Sequence, residues 1–519
     1  MGKDWSSRGV DLHLEIDPGS GRRRDSLERA LRTAIRERRL APGSPLPSTR
    51  ALAQQLRFSR GTVSAAYDQL AAEGYLTARQ GSVTTVARTP PPGPGEPAPD
   101  RGTAAMRTGA GTQSYGLGPG TPDVTAFPTR AWLQATRKVL TTSPAAVHHP
   151  CEPQGRVELR TALAEYLGRT RGVLTDPGHI VITSGFYQSV GLLARVLKEA
   201  GAGAVAMEDP GHPLHREAVR RCGLDVLPVP VDEHGAVVAS LPAHAAAAVV
   251  TPAHQYPTGV PLHPRRRHAL RDWAVRNDAL IVEDDYDGEF RFDRRPVGAF
   301  QGLAPAQTVY CGSVSKTLGP GLRLGWMAVP PALLEPVVRA KLHADIHTET
   351  LNQLVLAELI THHHYDRHVR LSRLRYRRRR ELLLSRLGGG PDGPLPGLAF
   401  HGVPAGLHVL ATLPPDGPTE EDLLAEHDGD GHPGPARHPR HGFALGALSG
   451  LRHAPRPGQE QGVLIGYAAP PEHAFSTALA EFAAFLEGCH ARSTATGRRP
   501  VGRWVRPAPL GTVRDSSAG

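Results

Sequence analysis

Amine chemistry has few candidates in this chain of 519 residues, because five lysines stand against fifty-five arginines: Lys3, Lys138, Lys198, Lys316 and Lys341. Lys316 is set apart because it follows GSVS, where a strand-like run, TVYCGS, ends in small hydroxyl residues. Lys138, Lys198 and Lys341 lie in helical patterns beside charged or apolar neighbours and read as ordinary surface lysines; Lys3 lies in the N-terminal stretch. Other reactive types gather at the ends of similar apolar runs. Asp284 closes ALIVED, and Tyr286 follows two residues on, on the same side of an extended chain. Arg323 lies seven residues beyond Lys316, and Ser313 and Ser315 lie just before it. Ser184, Gly185 and Phe186 follow HIVIT and open a helical stretch, whose first N–H groups are free to meet an anion.

Together these are the parts that a pyridoxal phosphate cofactor demands. Lys316 would form the Schiff base, and a carboxylate at Asp284 would keep the pyridine nitrogen protonated, making the ring an electron sink. Tyr286 would donate to the phenolic oxygen, and Arg323 would hold the phosphate as a fork, helped by Ser313, Ser315 and the helix opening at Ser184. Singly, Asp284, Tyr286 or Arg323 reads equally well as part of a buried structural network. Their joint spacing around Lys316 favours the site.

A second chemistry lies near the N-terminus, in LPSTRALAQQLRFSRGTVSAAYDQLAAEGYL. A helix-turn-helix needs a short helix, a tight turn and a recognition helix that begins with small or hydrogen-bonding residues. Ser59, Arg60, Gly61, Thr62 and Ser64 supply that beginning, while Val63, Ala66, Tyr67 and Leu70 form a buried stripe. Arg60 is placed to reach a guanine edge or a phosphate, and Arg50 and Thr62 to reach phosphates. YLTARQGSVTTVA alternates around Gly81 like a two-stranded wing, with Gln80 and Gly81 at a tip that would lie over the minor groove. A solvated helix face is the alternative for Arg50 and Arg60.

The elements that must position these residues follow from the periodicity. Asp25 is expected to cap a first helix, SLERALRTAIRERR, with Leu27, Ala30, Leu31, Ala34 and Ile35 on one face. TPPPGPGEPAPD then interrupts the chain with six prolines and no apolar period, which marks a linker. Beyond it, HIVIT, AVAME, AAAVVT, ALIVED, TVYCGS and LRLGWMAV alternate with helical stretches, implying βαβ units and a mainly parallel sheet between helices. The expected division is a winged helix-turn-helix over 20–88, a linker over 89–111, a cofactor domain over 112–487 and a disordered basic tail over 488–519. The Gly/Pro/His run from His427 to Gly442 reads as a decorating loop, and neither it nor His362–His364 has the spacing of a metal site. The four cysteines are too far apart for a zinc site or a disulfide scaffold, and read as reduced thiols. No stretch has the roughly 20 uncharged apolar residues of a membrane span, and the first residues lack the apolar core of a secretory signal. A net charge of +10 permits nucleic-acid binding without demonstrating it.

From about Asp25 to Ala87 the chain resembles the GntR family of winged-helix regulators, on LPSTR, SRGTVSAAY, AEGYL and ARQGS, with Val83 where that family's wing usually has a second glycine. From about Tyr115 to Leu486 it resembles fold-type-I aminotransferases, and specifically the MocR/GabR-type regulators. The stretches that carry this are GPGTPDVTAFPTRAW, QGRVELRTALAEYLGRTRGV, ITSGFYQS, EDPG, TPAHQYPTG, VEDDYDGEF and SVSKTLGPGLRLGW. The resemblance implies an α/β fold: a winged helix-turn-helix fused to a large aminotransferase-like domain with a smaller C-terminal α+β subdomain. It further implies pyridoxal 5'-phosphate as cofactor, a double-stranded DNA operator, an amine or amino acid effector, a head-to-tail homodimer and a cytoplasmic regulator. His212 follows EDPG where an aromatic residue commonly stacks on the cofactor ring, and Tyr256 precedes PTG where aminotransferases usually carry an asparagine on the phenolic oxygen. Leu464, in GVLIGYA, stands where aminotransferases commonly carry an arginine for the substrate carboxylate. Losing that pair removes about 1.5 to 3 kcal/mol from amino acid binding. The expectation is therefore a transcription regulator that senses pyridoxal phosphate or an amine, with an active aminotransferase bearing a DNA-binding appendage as the alternative.

Overall fold

The computed structural model describes residues 23–37, 39–77, 83–87, 116–293, 297–388, 390–428, 443–456 and 458–495. The chain divides into two compact units, 1–110 and 111–519.

In the first unit, three helices, α1 (Arg23–Arg36), α2 (Thr49–Leu56) and α3 (Arg60–Ala72), precede an antiparallel pair, β1 (Leu76–Thr77) and β2 (Thr85–Val86). Both helices of the helix-turn-helix begin where a serine can satisfy a first-turn N–H. Ser48 Oγ accepts from Ala51 N at 3.2 Å, and Ser59 Oγ accepts from Thr62 N at 3.0 Å. Arg57 ends α2 in the left-handed region, turning the chain toward α3. Leu27, Leu31, Leu52, Val63, Ala66 and Leu70 are fully buried in one core with Tyr67, Tyr75 and Val86. The Tyr67 hydroxyl donates to the Pro47 carbonyl at 3.0 Å and ties the entry turn to α3. Asp25 does not precede the helix: it lies inside the first turn of α1, where its charge suits the positive helix end.

The second unit is built on an eight-stranded sheet: β3 (Ile180–Thr183), β4 (Ala204–Asp209), β5 (Asp225–Asp232), β6 (Gly235–Ala236), β7 (Ala247–Val250), β8 (Leu280–Asp284), β9 (Thr308–Ser313) and β10 (Gly325–Ala328). Their order is β3-β10-β9-β8-β7-β4-β5-β6. Strands β5, β4, β7, β8 and β9 are mutually parallel, while β10 runs antiparallel to both neighbours and β6 to β5. Both faces are covered, so the strands are apolar without interruption. Ile180, Ile182, Tyr310 and Trp326 pack into one layer, and Val181, Val309, Cys311 and Met327 into the opposite one. A four-stranded antiparallel sheet, β11 (Ala399–Phe400), β12 (His408–Thr412), β13 (Gly446–Ala447) and β14 (Gly462–Gly466), forms the smaller subdomain in the order β11-β12-β14-β13. The helix His364–Leu387 joins the two: Tyr365 and Val369 belong to the large core, Tyr376 and Leu383 to the small one.

Three further expectations are corrected. The last helix, Phe475–Ala495, keeps Cys489 buried and runs past residue 488, where the tail was placed. His427 belongs to the helix Glu420–Asp428 and is buried against Phe443, its Nε2 2.7 Å from the Phe443 carbonyl. Lys341 is not a surface lysine: its side chain is fully buried and paired with Asp345 at 2.6 Å. A buried amine without such a partner would be costly.

Candidate functional site

Strands β4, β7, β8 and β9 end together, and the loops after them enclose a cavity of about 240 Å³. Glu208, Val250, Asp284 and Ser313 reach it from those four strand ends. Lys316 enters from the turn beyond β9 and donates to the Gly120 carbonyl at 2.6 Å. Burial lowers the pKa of its amine, while Asp284 and Asp287 act to hold the proton on.

The Asp284 carboxyl accepts no hydrogen bond among the described residues; His215 Nδ1 lies 4.0 Å from its Oδ2. Burial raises the Asp284 carboxyl well above the ordinary range, with Lys316 opposing. Burial likewise keeps His215 neutral, so the carboxyl has no cation behind it. The His215 ring packs edge-on to Phe186 at 4.7 Å and stacks on His212 at 4.3 Å. His212 is pushed down to about 4 by burial and is also an uncharged ring.

Arg323 lines the same cavity. Its guanidinium lies over Gly185, where a Cβ would meet Nη1 and Nη2 at 3.7 Å. Gly185, at φ +114°, is the N-cap of the helix Phe186–Glu199, so a guanidinium and a positive helix end face one space. The Gly185 N–H turns to Thr183 Oγ1 at 3.4 Å, leaving Phe186 and Tyr187 as the open donors of that end. Among the described residues the Arg323 side chain has no hydrogen-bond or ion-pair partner.

Lys316, Asp284, Tyr286, Arg323, Ser313, Ser315, Gly185, Phe186, His212 and Tyr256 all line this cavity. Ser184 does not: its N–H is taken by Gln188 Oε1 at 2.8 Å. Residues not singled out in the sequence also take part. Glu208 accepts from the Thr251 hydroxyl at 2.5 Å, and burial raises it to about 7. Arg216, buried in the wall, donates to the carbonyls of Gly211, Leu451 and Arg452 and so pins the loop after β4 to a distant segment. His254 and Asp287 lie behind Tyr286. Their signal was present in TPAHQYPTG and DDYDGEF, whereas the carbonyl partners of Arg216 leave no mark in sequence. Leu464 on β14 is buried with Leu410 and Leu448, and Tyr256 and Leu451 pack on that apolar cluster.

In the first unit, Arg50 and Arg60 are exposed and have no ion-pair partner among the described residues. Ser59 and Thr62 are occupied with each other at the start of α3, their hydroxyls 2.7 Å apart, and Ser64 is half-buried. Gln80 and Gly81 lie outside the described residues.

A mainly parallel sheet with a lysine, an aspartate and an arginine converging on its strand ends defines an aminotransferase-type domain, and the smaller unit defines a winged helix-turn-helix. Residues 114–426 match the aminotransferase class I and II family, and residues 23–86 match the bacterial regulatory proteins of the gntR family. The HTH-type pyridoxine biosynthesis transcriptional regulator PdxR of Corynebacterium glutamicum is 34% identical over 371 residues, covering 72% of this chain and 79% of that protein. The probable rhizopine catabolism regulatory protein MocR of Rhizobium meliloti is 33% identical over 370 residues, covering 68% and 75%. Among solved structures, the multiple substrate aminotransferase of Thermococcus profundus shares the fold of the large unit, with a TM-score of 0.63 at 21% identity over 75% of this chain and 93% of that one. The chain belongs to the helix-turn-helix transcriptional regulators that carry a class I and II aminotransferase domain behind a gntR-family domain.

Proposed function

We propose that this regulator holds pyridoxal 5'-phosphate in the large-domain cavity and that the state of the cavity sets its affinity for an operator. The observation that carries the reading is a pair of groups without a hydrogen-bond partner among the described residues, the buried carboxyl of Asp284 and the guanidinium of Arg323, lining one cavity with Lys316. When bound, the cofactor supplies an aldehyde that condenses with a primary amine. Lys316 Nζ is the amine that holds it, and burial favours the neutral, nucleophilic form. Asp284 accepts from the pyridine N–H, Tyr286 donates to the phenolic oxygen, and His212 stacks on the ring. Arg323, Ser313, Ser315 and the helix opening at Gly185, with the open N–H groups of Phe186 and Tyr187, would cradle the phosphate. Tyr256 closes the side nearest Leu464.

The apolar cluster around Leu464 favours the cofactor itself, or an amine without a carboxylate at that position, as the signal. Arg50, Ser59, Arg60, Thr62 and Ser64, with Gln80 and Gly81 of the wing, contact double-stranded DNA, and the regulator acts in the cytoplasm as a head-to-tail homodimer. A second reading, an active aminotransferase with a DNA-binding appendage, is favoured by the complete set around Lys316.

The test compares wild type with Lys316→Ala, each titrated with pyridoxal phosphate and then with operator DNA. A visible band in wild type alone, with a change in DNA affinity, supports the regulator. A band without that change, together with steady turnover across a panel of amine donors and keto acids, supports the enzyme. Absence of a band from both proteins refutes the role of Lys316.

A further inference from the structure

Behind the cavity, three side chains share one nitrogen. His254 Nδ1 lies 2.8 Å from Asp287 Oδ2 and 3.0 Å from the Tyr286 hydroxyl, with His254 and Asp287 both almost wholly buried. An imidazole nitrogen carries either one hydrogen or one lone pair in its plane, and an ionised carboxylate only accepts. The two contacts are therefore mutually exclusive as donations. With the hydrogen on Nδ1 committed to Asp287, Tyr286 cannot spend its own proton on the ring.

The surroundings hold the ring in that position. Two glycines at positive φ, Gly259 and Gly406, pack against the imidazole; a Cβ on Gly406 would overlap the ring and lie 2.6 Å from Asp287 Oδ2. His408 on β12 lies 5.6 Å from His254, ring to ring, and burial pushes it down to about 3, so it offers no competing charge. Tyr256, pushed up to about 12 by burial, stands edge-on to Tyr286 at 6.0 Å. Asp287 also faces the Tyr286 hydroxyl and competes with the cavity for its proton, Asp284 faces it from the cavity side, and Lys316 lines the same space.

We infer that Asp287 and His254 are positioning residues: the hydrogen on Nδ1, engaged with Asp287, denies the Tyr286 hydroxyl proton the ring and occupies the carboxylate that competes for it, turning that proton to the phenolic oxygen of whatever Lys316 holds. This rests on the cofactor reading above. A donor on that oxygen is felt most when the nitrogen linking Lys316 to the cofactor is unprotonated, because a protonated nitrogen already neutralises the oxygen. The donor therefore lowers the pH midpoint of the visible band.

The experiment is a pH titration of that band in the cofactor-loaded full chain. Asp287→Asn lets Nδ1 present its lone pair to Tyr286, and His254→Phe leaves Asp287 itself to accept the tyrosine proton. Each is expected to raise the midpoint by about one pH unit, the size of one lost hydrogen bond, and neither should add to the shift in a Tyr286→Phe background. Loss of the Asp287 charge acting directly would instead lower the midpoint, so the sign discriminates. A midpoint unchanged or lowered, or an equal rise without Tyr286, overturns the inference. A wild type that shows no visible band at all overturns the cofactor reading beneath it.

Discussion

Replacing Arg323 by alanine isolates the phosphate cup. The guanidinium stands 3.7 Å from the Cβ position of Gly185, above the open end of the helix Phe186–Glu199, and has no hydrogen-bond or ion-pair partner among the described residues to lose. Hydrogen bonds to a charged group are worth about 1.5 to 3 kcal/mol each. Because Arg323 is exposed and solvent screens it, the whole fork is taken at the value of one such bond, about 2 to 3 kcal/mol. That converts to a loss of roughly 30- to 150-fold in affinity. The helix end, worth about 0.3 to 1 kcal/mol, remains. Pyridoxal phosphate and phosphate-free pyridoxal, titrated by absorbance into wild type and Arg323→Ala, give the answer as a ratio. The phosphorylated compound should lose its advantage, while pyridoxal binds both proteins alike. Arg323→Lys should recover only part of the loss, having the charge without the fork. Equal binding of pyridoxal phosphate to both proteins, or equal weakening of both compounds, would refute the assignment of the cup.

Arg60→Ala should weaken operator binding by about 1 to 3 kcal/mol without altering helicity, and Arg50→Ala should reduce the salt slope by about one; electrophoretic titrations at several salt concentrations check both, and unchanged binding by either removes that residue from the interface. Ser59→Ala should cost about 1 kcal/mol of stability in the first unit through the lost cap on Thr62 N, read from its thermal transition. Asp285→Asn should cost about 3 to 5 kcal/mol, because Arg171, bound to Asp285 at 2.7 and 2.9 Å, would be left as a buried unpaired charge; a denaturation midpoint within error of wild type would contradict this. Burial lowers the Lys316 pKa, so the neutral amine is present at lower pH than in free lysine. The rate of pyridoxal phosphate uptake should therefore rise with pH and level off below the usual lysine range, and a midpoint at or above that range would count against the burial argument.

What could be read in advance depended on how local the cause was. The stripe Val63, Ala66, Tyr67, Leu70 and the start of α3 at Ser59 are set within one turn or two of helix, and both were legible. Asp284 was legible because strand ends in a parallel sheet converge on one crevice. Its neighbour Asp285 shows the limit: one peptide bond away, it turns to the other side and binds Arg171 and Tyr310, a structural role that no local pattern distinguishes from a catalytic one. Lys341 was misjudged because its burial is decided by the surrounding fold, while its partner Asp345 sits one helical turn on. The direction of β10 was equally hidden, since an antiparallel strand inside a covered sheet carries the same apolar run as its neighbours.

The loop before β12 and the turn after β7 meet at bare backbone: a Cβ on Gly402 would lie 2.8 Å from Gly259 Cα. One side of that contact belongs to the smaller subdomain, and the other carries His254 and Tyr256 to the cavity. Anything lodged against those two residues therefore presses on a joint with no side chain to absorb the strain. By thermodynamic reciprocity, a force that shifts the smaller subdomain must alter the affinity of the cavity by the same factor that an occupant alters the subdomain's preferred position. The contact makes the C-terminal sheet a lever on the cavity, and the leverage is available whether or not any chemistry is completed at Lys316.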